Sequence, residues 1–460
     1  MFKDRKHALQ LLETEYQTPG FRLPVVYARL HSGRKTFLDA FAKEKDIPIF
    51  KPTARFQEND RNFSDFKEIA RQMGVESNAE TFADIFGEII EASATRRLAL
   101  IVHDFENLPL HNPMFFSALK RHIDRNRDKA NLFLLFSTSS FRAAEQYFAS
   151  YEAKLLQRKT LYRELPPLTV FEMADLVPTF THKELCLFYG MAGGMPGFLL
   201  SSPDVMENME SLFLHSKDEF FLKGWNILEH DLDAPEPFLP LLSFLSVKPV
   251  KKSDLTDFMK ERDVRPSRTN SLLDKLVSCH IVQRHTPLGE NFNREKYFVG
   301  EPFLRFYCRF ILPNRKAILS GISSDIKKIQ EQIREKYPQH MKYVFEQICR
   351  QWLENADLPF VPTHYGPWWK TDKGTKFMER ISIVASSDEE DRIFCACSFK
   401  DGPMKDTRHL HSLQSWSAHV PARRRFYIFF AKDGFSDDCQ EYARKIPDFR
   451  LLSLNDIFAK

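Results

Sequence analysis

The stretch from Pro24 to Phe41, PVVYARLHSGRKTFLDAF, constrains the fold more than any other part of the chain. It sets a short apolar strand (Val25, Val26, Tyr27) before a small-residue turn and an amphipathic helix, the local order of a phosphate-binding loop. In the pattern GxxxxGK[ST], glycines let backbone N–H groups close around a phosphate, the lysine reaches the terminal phosphates and the hydroxyl holds magnesium. Aligned on Gly33, this chain has Ala28 at the first glycine, Arg34 at the lysine and Lys35 at the hydroxyl, with Thr36 one residue late. Strand, turn and helix are kept, whereas the groups that carry the chemistry are altered.

The 460 residues suffice for about three domains. Forty-three phenylalanines against sixteen glycines predict aromatic-rich cores and few flexible linkers. A net charge of +4 is near neutral at this length and does not by itself argue for nucleic acid. MFKDRKHALQLLETEY is charged from residue 3 and then helical in period, without the apolar core of a signal peptide. The runs LALIV and LFLLF are of strand length, far short of a membrane span, so a soluble, cytoplasmic protein with no membrane association is expected. Seven scattered cysteines without a paired CxxC read as reduced, mostly buried thiols, and no metal site is expected.

Along the chain, Phe2, Ala8, Leu9, Leu11, Leu12 and Tyr16 share one helical face, and that helix should end at Pro19-Gly20. A second strand is predicted over 47–51 and helices over 62–73 and 81–92; the unbroken run in RLALIVHDFENL then suits a parallel strand buried on both faces. A helix over 115–124 leads to the strand NLFLLFSTSS. After a composition shift at Asp233-Ala-Pro-Glu-Pro come helices at FLPLLSFLS, 253–261 and 266–279. IVQRHTPLGENFNREKYFV reads as two strands around a polar turn with Pro287 and Gly289, the wing of a winged helix. A charged helix from Ser323 to Lys336 precedes MKYVFEQICRQWL, YGPWW, RISIVAS and RIFCACSFK, the order of a small α/β domain, which HLHSLQSWS and RRRFYIFF complete as a helix and a strand.

YARLHSGRKTFL resembles the YGRRRVGKTTLI type of loop in the STAND branch of prokaryotic P-loop ATPases, relatives of the AAA+ proteins. The resemblance covers almost the whole chain and is to the subgroup in which the ATPase domain continues into a winged helix and a C-terminal nuclease-like domain of unknown function. It implies an α/β P-loop NTPase (AAA-like) domain over 1–170, a helical lid over 171–232, a winged helix and connector over 233–320, and a degenerate PD-(D/E)XK, restriction-endonuclease-like domain over 321–460. LIVHDFENL aligns with the family's LVIDEFPYL, which puts His103 at the magnesium aspartate and Asp104 at the catalytic glutamate. A register shifted by one makes Asp104 the metal-side acid and leaves Phe105 at the catalytic place; a simple strand-end cap is the alternative role for Asp104. Ser139 matches the phosphate-sensing serine of LCGSS, unless Thr138, Ser139 and Ser140 merely cap the next helix. Arg158 matches the arginine of LYGRT, and Gly194 with Pro196 matches the GxP turn of YGIxGGxPxYL that packs on adenine. EPFLRFYCRFILPNR resembles the family's buried aromatic connector.

The resemblance implies ATP binding, with or without Mg2+, by Gly33, Arg34, Lys35, Thr36, Ser139, Arg158, Gly194 and Pro196, with Asp104 as the sole catalytic acid. The implied role is a switch or scaffold with weak or no hydrolysis. Two alternatives stand beside it. A shifted loop using Lys35-Thr36 would restore ATP hydrolysis, and Arg265, Arg268 and Lys275 on the third helix of the winged helix would bind duplex DNA. In the C-terminal domain the metal-binding and catalytic positions fall on Ser382, Ala396 and Ser398, with only Glu346 remaining. No nuclease activity is therefore expected there, and the surface is left to packing or to a protein partner.

Overall fold

The computed structural model describes residues 5–55, 59–198, 204–232, 234–288, 295–371 and 378–459; Phe2, Asp233 and Gly289, singled out above, lie outside them. The chain divides into two compact units, Met1–Leu168 with Met195–Gly197, and Thr169–Gly194 with Phe198–Lys460.

The first unit is built on a sheet of five strands, β1 (Pro24–Tyr27), β2 (Ile49–Phe50), β3 (Leu98–His103), β4 (Leu132–Thr138) and β5 (Leu161–Glu164), in the spatial order β2-β3-β4-β1-β5. All neighbours are parallel, so each strand must be joined to the next by a crossover, and helices such as Arg34–Lys45, Phe82–Ala92 and Phe115–Asn126 lie in these connections. Strand side chains alternate between two cores. Val25, Leu100, Val102, Leu134 and Phe136 face the larger one, with Phe66, Phe86 and Phe115, whereas Val26, Ile101, Phe133 and Leu135 face the other, with Phe37, Leu38 and Phe41. Burial on both faces is why LALIV and LFLLF show no polar alternation. The phenylalanines pack ring on ring, as in Phe50–Phe66 and Phe66–Phe86, with centroids 4.4 and 4.6 Å apart. The edge strand β2 is shorter than the predicted 47–51, because only Ile49 and Phe50 pair with β3. β1 lies between β4 and β5, so the connection from β4 to β5 passes β1 and the strand order switches there.

In the second unit, helices Leu239–Leu245, Lys252–Lys260 and Pro266–Ser278 accompany an antiparallel sheet of β6 (Val250–Lys251), β7 (Val282–His285) and β8 (Lys296–Val299), ordered β6-β8-β7. The aromatic connector is buried: Tyr307 is fully enclosed, donates its hydroxyl to the carbonyl of Phe221 at 3.0 Å, and lies so close to Gly224 that any side chain there would strike its ring. The helix expected to end at Lys336 instead runs unbroken from Ser323 to Leu353, through Pro338. A proline within a helix forfeits one backbone bond. Here the buried stripe Ile326, Ile329, Ile333, Tyr337, Met341, Val344 and Ile348 continues on both sides of it without changing face, and that burial holds the helix together.

The C-terminal sheet is mixed: β9 (His364–Thr371), β10 (Met378–Ser386) and β11 (Arg392–Ser398) are antiparallel, and β12 (Arg425–Ala431) and β13 (Phe449–Ser453) continue parallel to β11. Ile381, Val384, Phe394 and Phe429 share one core with Leu410 and Leu413 of the helix Arg408–Ser417. Three elements go beyond the sequence reading: the helix Asp437–Arg444, the short helix Leu454–Phe458, and β13, an edge strand whose FRLLS is only partly buried and shows no alternation.

Candidate functional site

Residues 28–33 join β1 to the helix Arg34–Lys45. Gly33 caps that helix with φ of +80°, a left-handed conformation that glycine adopts at no steric cost. No side chain caps the helix, and the N–H groups of its first turn, Arg34 to Thr36, lack partners within the helix by its geometry, which makes this end attractive to an anion. Pro196 packs directly on the loop: a Cβ at residue 33 would lie 2.8 Å from its Cγ, so the approach needs glycine at 33. The neighbouring Gly197 lies against the carbonyl of His31.

The strand register then sets the polar groups side by side. Val26 and His103 both stand level with Ser137 of β4, and Tyr27 with Thr138. Arg34 turns inward and is 5% exposed, donating to Ser137 Oγ and, at 2.7 Å, to Asp104 Oδ1. Lys35, one residue on, faces outward with its side chain 52% exposed, yet its Nζ reaches Asp104 Oδ2 at 2.5 Å. One carboxylate thus sits between the two cations of the helix's first turn, Arg34 and Lys35. Burial alone would push the Asp104 carboxyl up, but Arg34 and Lys35 prevail and hold it below its usual range. Asp104 also has a positive φ of 44°, so the backbone turns sharply at the end of β3 to present it.

His103 occupies the core side of the same strand end and is fully buried. Nδ1 lies 2.7 Å from Ser137 Oγ and Nε2 2.8 Å from Asp39 Oδ1, while Lys51 donates to Asp39 Oδ2 at 2.9 Å. Burial, with a smaller push from Arg34, lowers its pKa to about 4, so the imidazole is neutral at pH 7. A single directed chain satisfies every group: Arg34 donates to Ser137 Oγ, Ser137 O–H to Nδ1, and Nε2–H to Asp39. Both ring nitrogens are committed and neither is left for a metal. Glu106, just beyond, is pushed up by burial and hydrogen-bonds Thr138.

The remaining residues singled out in the sequence are placed as follows. Thr36 is exposed on the first turn of the helix. Ser139 is buried at the end of β4; its neighbour Ser140 is the helix cap, its Oγ accepting from Ala143 N at 3.1 Å, and Thr138 Oγ1 accepts from Ser140 N at 2.9 Å. Arg158 precedes β5, at the opposite end of the parallel sheet from Gly33, and forms a two-pronged pair with Asp124 at 2.8 and 2.9 Å. Gly194 is buried in the second unit, after Gly193 ends the helix His182–Ala192. Arg265 and Arg268 are exposed at the start of the helix Pro266–Ser278, and Lys275 is half-buried in its last turn.

At the C-terminal sheet, Glu346 is buried and gripped end-on by Arg380, both Nη atoms at 2.6 Å from its oxygens, with Ser382 Oγ at 3.2 Å. Burial would raise the carboxyl; Arg380 and Lys342 outweigh it and keep it ionised. Among the described residues no group of three or more His, Cys, Asp or Glu side chains could hold a metal ion. Arg380, Ser137, Asp39 and Lys51 escaped the sequence reading, since each acts through a partner at least 12 residues away in the chain.

Residues 307–410 match the model of a family described as archaea bacterial proteins of unknown function. An uncharacterized protein of Methanocaldococcus jannaschii is 26% identical over 429 residues, which cover 89% of this chain and 90% of that protein. Among solved structures, the Walker-type ATPase PABY2304 of Pyrococcus abyssi is similar with a TM-score of 0.49 at 14% identity, over 67% of this chain and 96% of that one. The ORC2 protein of Aeropyrum pernix, in its ADPNP and ADP complexes, is similar with a TM-score of 0.41 at 13% identity, over 72% and 95% of the two chains.

Proposed function

We propose that this protein is a cytoplasmic STAND-type, AAA-like nucleotide switch or scaffold, which binds ATP at Gly33–Thr36 and hydrolyses it weakly or not at all. The observation that carries this reading is the closure of Arg34 and Lys35 on Asp104. The loop suits phosphate: a glycine-capped helix end supplies N–H groups, Arg34 and Lys35 supply charge, and Pro196 beside Gly33 would border the rest of the nucleotide. It does not suit magnesium. The hydroxyl position holds Lys35, and at the metal-side acid position His103 has both nitrogens engaged. Phosphate must therefore compete with Asp104 for the cations, and exchange of one anion for the other is the switching event. Asp104, freed on the β3 side, is the group that would report occupancy to the rest of the unit.

In the same reading, residues 171–232 form the helical lid, 233–320 a winged helix with its connector, and 321–460 a nuclease-like domain kept as a packing or docking surface. The ion pair of Glu346 with Arg380 supports the loss of cleavage, because the one surviving acid is already neutralised. Calorimetry with ATP in EDTA and in Mg2+, alongside a phosphate-release assay, tests the proposal: binding should not depend on the metal, and turnover should be slow or absent. Brisk Mg2+-dependent turnover that is lost in Lys35→Ala would establish the active-ATPase alternative instead.

Exposed Arg265 and Arg268 on one helix end favour a second reading, contact with duplex DNA through the winged helix. Salt-dependent retention on duplex DNA, weakened by Arg268→Ala, is its expected signature. Retention unchanged in that variant counts against it.

A further inference from the structure

The second unit contains a cavity of about 290 Å3 that the nucleotide reading does not use. It lies where β7 and β8 meet β10 and the helix Ser323–Leu353, and its walls include Gln283, His285, Tyr343, Gln347, Arg350 and Arg380. Its size falls at the lower end of small-ligand pockets.

The charge around it is unbalanced. Arg380 commits two N–H groups to Glu346 and keeps three of its five. Arg350 is paired with Glu354 at 2.9 Å along the same helix, but both side chains are nearly half exposed, so that pair is weak. Behind the wall lies Arg305, 3% exposed, its guanidinium 4.2 Å from the ring centroid of Tyr343 and 5.4 Å from that of Phe298, both lining residues. Its Nη2 has no hydrogen-bond partner among the described residues. Buried Arg309 donates to the neutral Gln339 at 2.5 Å. Arg350 and Arg380 line the cavity beside Glu346 and Glu354, while the two further guanidinium groups, Arg305 and Arg309, lie outside the lining and have no carboxylate partner among the described residues. His285 registers the result: burial first, then Arg350 and Arg380, push it down to about 4, with Glu346 opposing and Arg305 assisting. What such a cavity lacks is an anion.

We propose that this cavity binds a compact phosphate monoester, with Arg350 and the unused N–H groups of Arg380 on the phosphate and the amides of Gln347 and Gln283 on the organic part. Two guanidinium forks suit a dianion with three acceptor oxygens better than a single carboxylate. The ligand would tie the β7–β8 hairpin to the C-terminal sheet at the point where Glu346 and Arg380 already join helix to strand.

The test uses the full chain, with isotope-labelled histidine and no Mg2+, titrated with AMP, ribose 5-phosphate and inorganic phosphate. The imidazole resonance of His285, assigned by its loss in His285→Gln, reports this cavity apart from any AMP that enters the loop at Gly33. At least one monoester should move that resonance and raise its pKa toward the ordinary 6.5, because the anion cancels the guanidinium field. A response to AMP alone identifies a nucleotide as the source; an equal response to ribose 5-phosphate identifies a sugar phosphate. Arg350→Gln, at an exposed position, should weaken binding tenfold or more, and the double variant Glu346→Gln with Arg380→Gln, which removes both charges together, should abolish it. The proposal is overturned by a resonance that stays put at millimolar concentrations of both esters, by a response to inorganic phosphate as strong as to either ester, or by affinity unchanged in both variants.

Discussion

Asp104→Asn separates two effects that a single carboxylate now combines. In the folded protein the Arg34 side chain is 4% exposed, Asp104 20% and Lys35 52%, so the variant leaves a buried guanidinium without a counter-charge. Removing one partner of a buried pair costs about 3–5 kcal/mol. The asparagine oxygen still accepts from Arg34 and Asp104 is 20% exposed at the carboxyl end of the sheet, which reduces the loss to about 2–3 kcal/mol; the exposed Lys35 adds at most about 1 kcal/mol. In a unit of this size that lowers the melting temperature by roughly 5–10 °C. Affinity for ATP should move the other way. Phosphate no longer has to displace Asp104, and recovery of about half to all of the lost stabilisation tightens binding by roughly 10- to 100-fold. Thermal melting and calorimetry in EDTA, with and without ATP, measure both shifts. An Asn variant that melts like the wild type, or that binds ATP no more tightly, refutes the reasoning. The pH profile has a definite sign: the folded carboxyl is held low, so its contribution is complete above the unfolded value of about 3.9 and is lost as the pH falls through the folded one. The stability gap between wild type and variant should therefore be flat above about pH 5 and shrink below about pH 4.

His103, pushed from 6.5 down to about 4, binds its proton more readily in the unfolded chain, so stability should fall as the pH drops through that window, by up to about 3 kcal/mol; His103→Asn should flatten the slope in urea titrations at pH 7 and pH 5. Gly33→Ala should cost about 1–3 kcal/mol, part from φ and part from Pro196, and adding Pro196→Ala should relieve only the second part; a double variant fully restored to wild-type stability would show that φ contributes nothing. Glu346→Gln strands the buried Arg380 and should destabilise the second unit by about 3–5 kcal/mol by chemical denaturation, while plasmid and single-stranded DNA stay intact with Mg2+ for both proteins; cleavage by the wild type that disappears in the variant overturns the inert reading.

Strands β1, β3 and β4 are legible in the sequence because burial on both faces leaves unbroken apolar runs between polar ends. Edge strands are less so: β2 is shorter than the run predicted for it, and β5 and β13, each with one free side, give no periodic signal. The charge pattern predicts a helix that stops at Lys336, yet the Ile326 to Ile348 stripe keeps its spacing across Pro338, a signal present in the sequence. At the loop, motif alignment finds Gly33, Arg34, Lys35 and Asp104, but it cannot find the chain Arg34–Ser137–His103–Asp39–Lys51, which exists only because His103 stands level with Ser137 in adjacent strands. The placement of Arg158 was readable in principle. It precedes β5, and a residue before a parallel strand lies at the end of the sheet away from the first loop.

The loop and the C-terminal sheet share one electrostatic arrangement: an arginine closes on the last carboxylate, Arg34 on Asp104 at 2.7 Å and Arg380 on Glu346 at 2.6 Å. A carboxylate enclosed without such a partner would cost several kcal/mol or drift toward its neutral form, and a metal ion is the other common remedy. A guanidinium supplies the positive charge but offers no coordination site and cannot dissociate, so each pair preserves its fold while giving up metal chemistry. Exposure then separates the two. Asp104 has the solvent-facing Lys35 beside it and the open end of a helix next to it, so a phosphate can take its place on the cations. Glu346 is 11% exposed, is shared with Ser382, and joins a helix to a strand, so exchange there would break the junction of the domain. The first pair is therefore suited to switching and the second to bracing, and this is why ATP affinity should rise on loss of Asp104, whereas loss of Glu346 should destabilise the second unit.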